Sequence, residues 1–229
     1  MKFKKNITCV DCKLKCDIYK AILESGADFS CVNPLHVFYD RHEYICKQGS
    51  SVTHAIYLVE GSATLFIEGL NNRNISLYIM RPHSYIGLLS FFETPYYSYS
   101  VKALEDSHIC MVDLDCIKKL YIENHNFLLK LNQAFGKSVS SILSKIITLN
   151  QKNIRGRIAD SLLYLSKLYE NDTFRMLLSR KELGELSAIS EENAVRLLGE
   201  FRREGIINVE GKKITILDKK LLEKISEVG

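Results

Sequence analysis

Between Leu178 and Arg203 the chain carries two short amphipathic patterns joined by a tight turn, and few folds accommodate that pairing. Leu183 and Leu186 lie on one side of the first segment, and Ala194, Leu197, Leu198 and Phe201 repeat at helical spacing on the second. Ser179 stands where a helix cap is needed, with Glu182 three residues on to complete a capping box. Ser190 can cap the second helix, with Asn193 as its weaker partner. A helix-turn-helix presses the N-terminal residues of its second helix against base edges in the major groove. The outward residues there are Glu191, Glu192, Asn193, Val195 and Arg196. A glutamate can accept from cytosine N4, and an arginine can make a bidentate contact to guanine. Glu192 and Arg196 are four apart, so they share one helix face and can read adjacent pairs of a G·C-containing half-site.

The bland alternative is a packed helical hairpin with a solvated charged face. The downstream segment favours the nucleic-acid reading. Gly205 to Ile216 reads as strand, glycine-containing turn and strand, which makes a winged helix with Lys212 and Lys213 at the wing tip. Lysines there suit phosphate contacts, which position a protein without specifying sequence, and Ser179, Arg180 and Ser190 join the expected DNA-binding set.

The chain has 229 residues, enough for two ordinary domains, and its 46% hydrophobic content can fill packed cores. A net charge of +4 is mild, as expected of a protein that touches DNA through one small module. No apolar run is long enough to cross a membrane, and the start Met-Lys-Phe-Lys-Lys-Asn has no apolar core behind it. A cytoplasmic protein is therefore expected, with its seven cysteines reduced, metal-bound or redox-sensing rather than in structural disulfides.

From Leu35 to Val112 short apolar runs alternate with glycine and polar turns. Examples are Ala55-Ile56-Tyr57-Leu58-Val59 before Glu60-Gly61, and Ile75-Ser76-Leu77-Tyr78-Ile79 before Arg81-Pro82. Many short strands with regular turns predict a β-roll or barrel-like sandwich. A long helical pattern follows, with Leu128, Leu131, Phe135, Ile142, Ile146 and Leu149 near a three/four spacing. It reads either as a core helix or as a paired helix at a dimer seam. Asn150-Gln151-Lys152-Asn153 is a polar junction before the apolar residues Ile158, Leu162, Leu163 and Leu165.

The order of these parts resembles the bacterial regulators grouped with the cyclic-AMP receptor protein and the fumarate-nitrate reductase regulator, the Crp/Fnr family. The resemblance rests on Ala55 to Gly61, Arg81 to Gly87, Ala103 to Ser107 and Glu192 to Phe201. It implies an α+β fold in four parts. Residues 1–34 form a cysteine-bearing helical segment and 35–115 a double-stranded β-roll of the cyclic-nucleotide-binding kind. Residues 116–149 form a dimerisation helix and 150–229 a winged helix-turn-helix. By the family pattern Glu192 and Arg196 look like the base-reading pair of a TGA-type half-site, with Val195 where serine or glycine is frequent. A valine can touch a thymine methyl but cannot hydrogen-bond a base. The implied partners are a palindromic DNA duplex, a second copy of the chain, RNA polymerase, and a small-molecule or gas effector.

The effector pocket departs from the cyclic-nucleotide pattern, in which a Gly-Glu pair holds the ribose and an Arg followed by Ser or Thr holds the phosphate. This chain has Gly87-Leu88 and Tyr97-Ser98 at the matching positions. Leucine cannot accept from a ribose hydroxyl and tyrosine cannot neutralise a phosphate, so cyclic-nucleotide dependence is not expected.

Cys9, Cys12 and Cys16 form a C-x2-C-x3-C run, which can supply three thiolates to a cluster or metal. In the oxygen-sensing branch of the resembled family a cysteine matching Cys110 is the fourth ligand. The resemblance thus implies a [4Fe–4S] set of Cys9, Cys12, Cys16 and Cys110, although the run is tighter here than in that branch. Zinc, or a cysteine-bearing tail with Cys110 as a core thiol, are the other readings. Cys31, Cys46 and Cys116 show no ligand spacing, and the six histidines are scattered. A ligand- or redox-responsive interaction module that has lost DNA binding is the competing function, favoured by Glu185, Glu191, Glu200 and Glu204. An enzyme is not expected: nucleophile elbow, phosphate-cradling loop and zinc-hydrolase motifs are missing.

Overall fold

The computed structural model describes residues 2–4, 7–26, 32–90 and 95–229. The chain divides into two compact units, residues 1–67 with 79–141, and residues 68–78 with 142–229.

The N-terminal unit is built on two antiparallel sheets. One has the order β1 (Lys2–Lys4), β2 (Leu35–Tyr39), β9 (Ser107–Asp113), β4 (His54–Glu60), β7 (Ser84–Ile86). The other has the order β3 (Tyr44–Cys46), β8 (Ser100–Ala103), β5 (Ala63–Ile67), and its last strand, β6 (Ile75–Met80), begins among the residues 68–78 grouped with the second unit. The continuous apolar run of β4 follows from covering on both faces. Ala55, Tyr57 and Val59 pack against helices on the outer face, while Ile56 and Leu58, equally buried, alternate to the other side.

The outer face is covered by the turns carrying Cys9, Cys12 and Cys16, by α1 (Asp17–Ser25) and by α2 (Leu114–Glu123). Asp113 caps α2 by accepting from the amides of Asp115 and Cys116. The helical segment expected at 116–149 is two helices. Asn124 is extended, with φ −122° and ψ 106°, and breaks the run before α3 (His125–Gln151). Its side chain stabilises the break, accepting from the Phe127 amide (2.9 Å) and donating to the Ala21 carbonyl (3.2 Å). Lys130 on α3 pairs with Asp17 at the start of α1 (3.0 Å), one residue from Cys16.

Only part of the apolar stripe of α3 is buried within the chain. Phe127 and Leu131 are buried, whereas Leu129, Phe135, Leu143, Ile146 and Ile147 are exposed. The expected stripe therefore splits into an inward and an outward set. Among the described residues no helix is long and apolar enough to cross a membrane.

The C-terminal unit contains α4 (Ile154–Tyr169), β10 (Thr173–Arg175), α5 (Arg180–Ser187), α6 (Glu191–Arg203), β11 (Ile207–Glu210), β12 (Lys213–Ile216) and α7 (Lys219–Val228). Asn153 caps α4, so the polar junction is a helix boundary. The wing is a three-stranded sheet, β10-β12-β11, and not the simple hairpin read from the sequence. Three residues of β10 are too few for a period to show, yet Phe174 is buried opposite Ile214. The core joins Ile158, Leu162 and Leu165 of α4 to Leu183 and Leu186 of α5, Leu197, Leu198 and Phe201 of α6, and Leu222 of α7, all nearly inaccessible to solvent.

Candidate nucleic-acid interface and sensor residues

The turn between α5 and α6 is fixed locally. The capping box is formed: the Glu182 amide donates to Ser179 Oγ (3.1 Å) and the Ser179 amide to Glu182 Oε2 (2.8 Å). α5 ends at Ala188 in the left-handed region, φ 49°. Gly184 lies beneath the turn, where a Cβ would meet the Ile189 carbonyl oxygen at 2.9 Å. Any side chain there would push the two helices apart. Ser190 Oγ accepts from the Asn193 amide (3.3 Å) and starts α6. Glu191 and Glu192 in the first turn, and Arg202 and Arg203 in the last, complement the helix dipole.

The outward face of α6 is as the sequence predicts. Glu191, Glu192, Val195 and Arg196 are exposed, Asn193 is half-buried, and Ala194, Leu197, Leu198 and Phe201 point inward. Glu192 and Arg196 are not paired with each other. The Ser190 hydroxyl and a backbone amide hold the Glu192 carboxyl below the usual range, so it stays an acceptor. Arg196 donates to Glu200 (2.6 Å) and to Asn193 Oδ1 (3.2 Å). The sequence reading counted Glu200 only among the acids that weigh against DNA binding and missed it as the partner of Arg196, although its place one turn beyond is the available signal.

Lys212 and Lys213 are exposed at the wing. Arg180 is half-buried. Its Nη2 donates to the Gly211 carbonyl in the wing turn (2.6 Å), and its Nη1 is buried with no hydrogen-bond partner among the described residues.

In the roll, two of the residues matching the cyclic-nucleotide positions, Gly87 and Tyr97, are packed against one another. Tyr97 is buried, and a Cβ on Gly87 would lie 3.3 Å from its ring. The Tyr97 amide bonds the Ser50 carbonyl (2.9 Å), and the ring meets Tyr99 edge-on. Leu88 is buried in the outer cluster with Tyr57 and Cys110, and Ser98 is exposed.

The cysteine run is brought onto the same face as Cys110. Cys9 and Cys110 are buried in one core cluster, Cys16 packs against it, and Cys12 is half-buried. Burial pushes the Cys110 thiol far above its ordinary value, and Cys16, Cys9 and Cys12 lie near enough to raise it further. Cys16 precedes α1, where the Tyr19 and Ile18 amides favour a thiolate, but burial outweighs them and its pKa is raised. No three described His, Cys, Asp or Glu side chains are arranged to hold a single metal ion. Cys46 is a core thiol pushed to about 12 by burial, Cys116 is half-buried, and Cys31 lies outside the described residues.

The histidines are less scattered than their sequence positions suggest. His36 Nδ1 and His108 Nε2 are 2.7 Å apart on β2 and β9. Both line a recess of about 850 Å³ that also includes Cys12, Glu60 and His83.

This is the architecture of a winged helix-turn-helix regulator with a β-roll domain, and comparison with known proteins agrees. Residues 36–124 match the cyclic nucleotide-binding domain, and residues 156–225 match the Crp-like helix-turn-helix domain. The chain is 24% identical over 187 residues to the anaerobic regulatory protein of Bacillus subtilis, covering 79% of each. It is 25% identical over 182 residues to the transcriptional activator protein anr of Pseudomonas aeruginosa, covering 77% of this chain and 74% of that one. The structure of FixK2 from Bradyrhizobium japonicum superposes with a TM-score of 0.75 at 17% identity, over 83% of this chain and 96% of that chain. The chain belongs to the Crp/Fnr family and is a DNA-binding transcription regulator. Its relatives are regulators and not enzymes.

Proposed function

We propose that the chain acts in the cytoplasm as a homodimer that reads a palindromic operator through α6 and answers to a signal sensed by its cysteine segment, without a cyclic nucleotide. The exposed face of α6 carries this reading: Glu192 and Arg196 are presented to solvent on a helix whose other face is fully packed. Arg180, whose Nη2 holds the Gly211 carbonyl, ties its guanidinium to the wing turn next to Lys212, a place that suits phosphate contact. Lys212 and Lys213 add sequence-independent attraction. The exposed apolar residues of α3 suit a second copy of the same helix. The dimer would then place two α6 helices on successive half-sites. RNA polymerase is the partner such a regulator would engage on DNA.

Arg196→Ala is expected to lower affinity for the selected operator by about 1–3 kcal/mol and to erase preference at one base of each half-site. Selection from a random duplex pool with both proteins checks this. An unchanged base preference would remove Arg196 from reading, and no enriched sequence would favour a module that has lost DNA binding.

The packing of Tyr97 on Gly87 speaks against room for a cyclic nucleotide. Cys9 and Cys110 share one buried cluster with Cys16 packed against it, and Cys12 lies near enough to act on Cys110, a grouping that supports the [4Fe–4S] set the family resemblance implies. Such a cluster, when bound, supplies chemistry that responds to oxygen or nitric oxide. The chain's own residues connect that face to α3: Asp17 beside Cys16 pairs with Lys130, and Asn124 binds the Ala21 carbonyl. Anaerobic purification is expected to yield about four irons per chain with absorbance near 400 nm. Cys110→Ser should abolish both, whereas Cys46→Ser should not. Colourless, iron-free protein would overturn the cluster and move the signal to the recess lined by His36 and His108.

A further inference from the structure

Two cations from outside the helix-turn-helix close its carbonyl end. The Ala188 amide turns back onto the Glu185 and Gly184 carbonyls. The Leu186 carbonyl receives Lys145 Nζ from α3, and the Ala188 carbonyl receives Arg157 Nη1 from α4 (3.4 Å). Arg157 also grips the end of α3, through Nη2 to the Leu149 carbonyl and Nε to the Lys152 carbonyl, both 2.8 Å. One guanidinium therefore spans the last turn of α3 and the turn that orients α6.

Lys145 is buried, with 9% exposure, on the side of α3 away from its exposed residues Leu143, Ile146 and Ile147. Burial draws its pKa down to about 8, with Asp160 opposing and Arg157 adding to the fall. The charge of Asp160 is shared with Lys152 Nζ (2.5 Å), Thr148 Oγ1 (3.3 Å) and Ser226 Oγ (3.2 Å). A buried ammonium is a poor way to gain stability, since an apolar residue of similar volume often serves as well or better. What it adds is direction: a charge-assisted bond to one carbonyl fixes one helix register against another.

We propose that Lys145 is a positioning residue for DNA reading, holding the helix-turn-helix in one orientation against the C-terminal half of α3. This rests on the reading of α3 as the dimer helix. The orientation then sets the separation of the two α6 helices. A single half-site is indifferent to that separation. A palindrome is not, because its second contact gains effective concentration only when the geometry fits.

The test uses the full-length protein and the palindrome enriched in the Arg196 selection. Fluorescence anisotropy is measured on that palindrome, on one half-site and on an unrelated duplex, for wild type, Lys145→Met and Lys145→Arg. Lys145→Met is expected to lose at least tenfold on the palindrome, to stay within about twofold on the other two, and to be largely rescued in Lys145→Arg. Should Lys145→Met fail to fold by circular dichroism, Arg157→Lys is expected to give the same pattern, since an ammonium cannot span the Leu149, Lys152 and Ala188 carbonyls. Wild-type affinity of the variant for the palindrome would overturn the inference. So would equal losses on palindrome and half-site, which would make Lys145 ordinary support for α5. A wild type that binds palindrome and half-site equally would defeat the dimer reading itself.

Discussion

Replacing Phe201 with alanine is expected to destabilise the C-terminal unit by about 3–5 kcal/mol. Phe201 is fully buried in the last turn of α6, and the Arg155 guanidinium lies 4.9 Å from its ring centroid. Its helix packs against α4, α5 and β11, and the three helices are tied at their ends by caps. Such anchored helices cannot collapse into the space a phenyl ring leaves, so the cavity penalty adds to the lost transfer energy. A domain of this size holds about 5–15 kcal/mol in total, so the change consumes much of its stability. Urea unfolding followed by hydrogen exchange in α5 and α6 measures it. A loss below about 1 kcal/mol would mean that the core repacks, and that α6 owes its position to other contacts.

The stability of the same unit is expected to rise with pH from about 8 to about 10.5 because of Lys145. Its folded pKa is lowered to about 8 from an ordinary 10.5. In that window the unfolded chain holds the proton and the folded chain has released it. The unfolded state thus binds more protons, and stability increases with pH. At neutral pH the folded state carries the penalty of a buried ammonium. Relieving it across the window is worth about 3 kcal/mol, at about 1.4 kcal/mol per pKa unit. The described cysteines all lie in the other unit, so their ionisation does not obscure the trend here. Denaturation midpoints of wild type and Lys145→Met between about pH 7.5 and 9.5 isolate the effect. The wild type should gain on the variant as pH rises, and parallel curves would show that the ammonium is solvated.

The DNA-reading element was legible because its information is local. Ser179 and Glu182 are three residues apart and satisfy each other within one turn, and the inward residues of α6 fall on one face by helical period alone. The β-roll was legible for a related reason, since its strands are short runs punctuated by glycine and polar turns. What stayed hidden depends on residues far apart in the chain. β10 is too short to show a period and exists because β12 offers it an edge. The break at Asn124 depends on the Ala21 carbonyl, more than a hundred residues earlier.

The sequence alone therefore determined the order of parts, the outward face of α6 and the missing charge at Tyr97, because each is a property of a few neighbouring residues. The tertiary structure decided which side chains meet. It packed Tyr97 on Gly87, gathered Cys110 with the N-terminal thiols, paired His36 with His108, and turned Lys145 inward onto the Leu186 carbonyl. Each of these contacts is an outcome of sheet register or helix packing. Burial then shifts the chemistry of thiol and ammonium alike, since removing water penalises whichever form is charged.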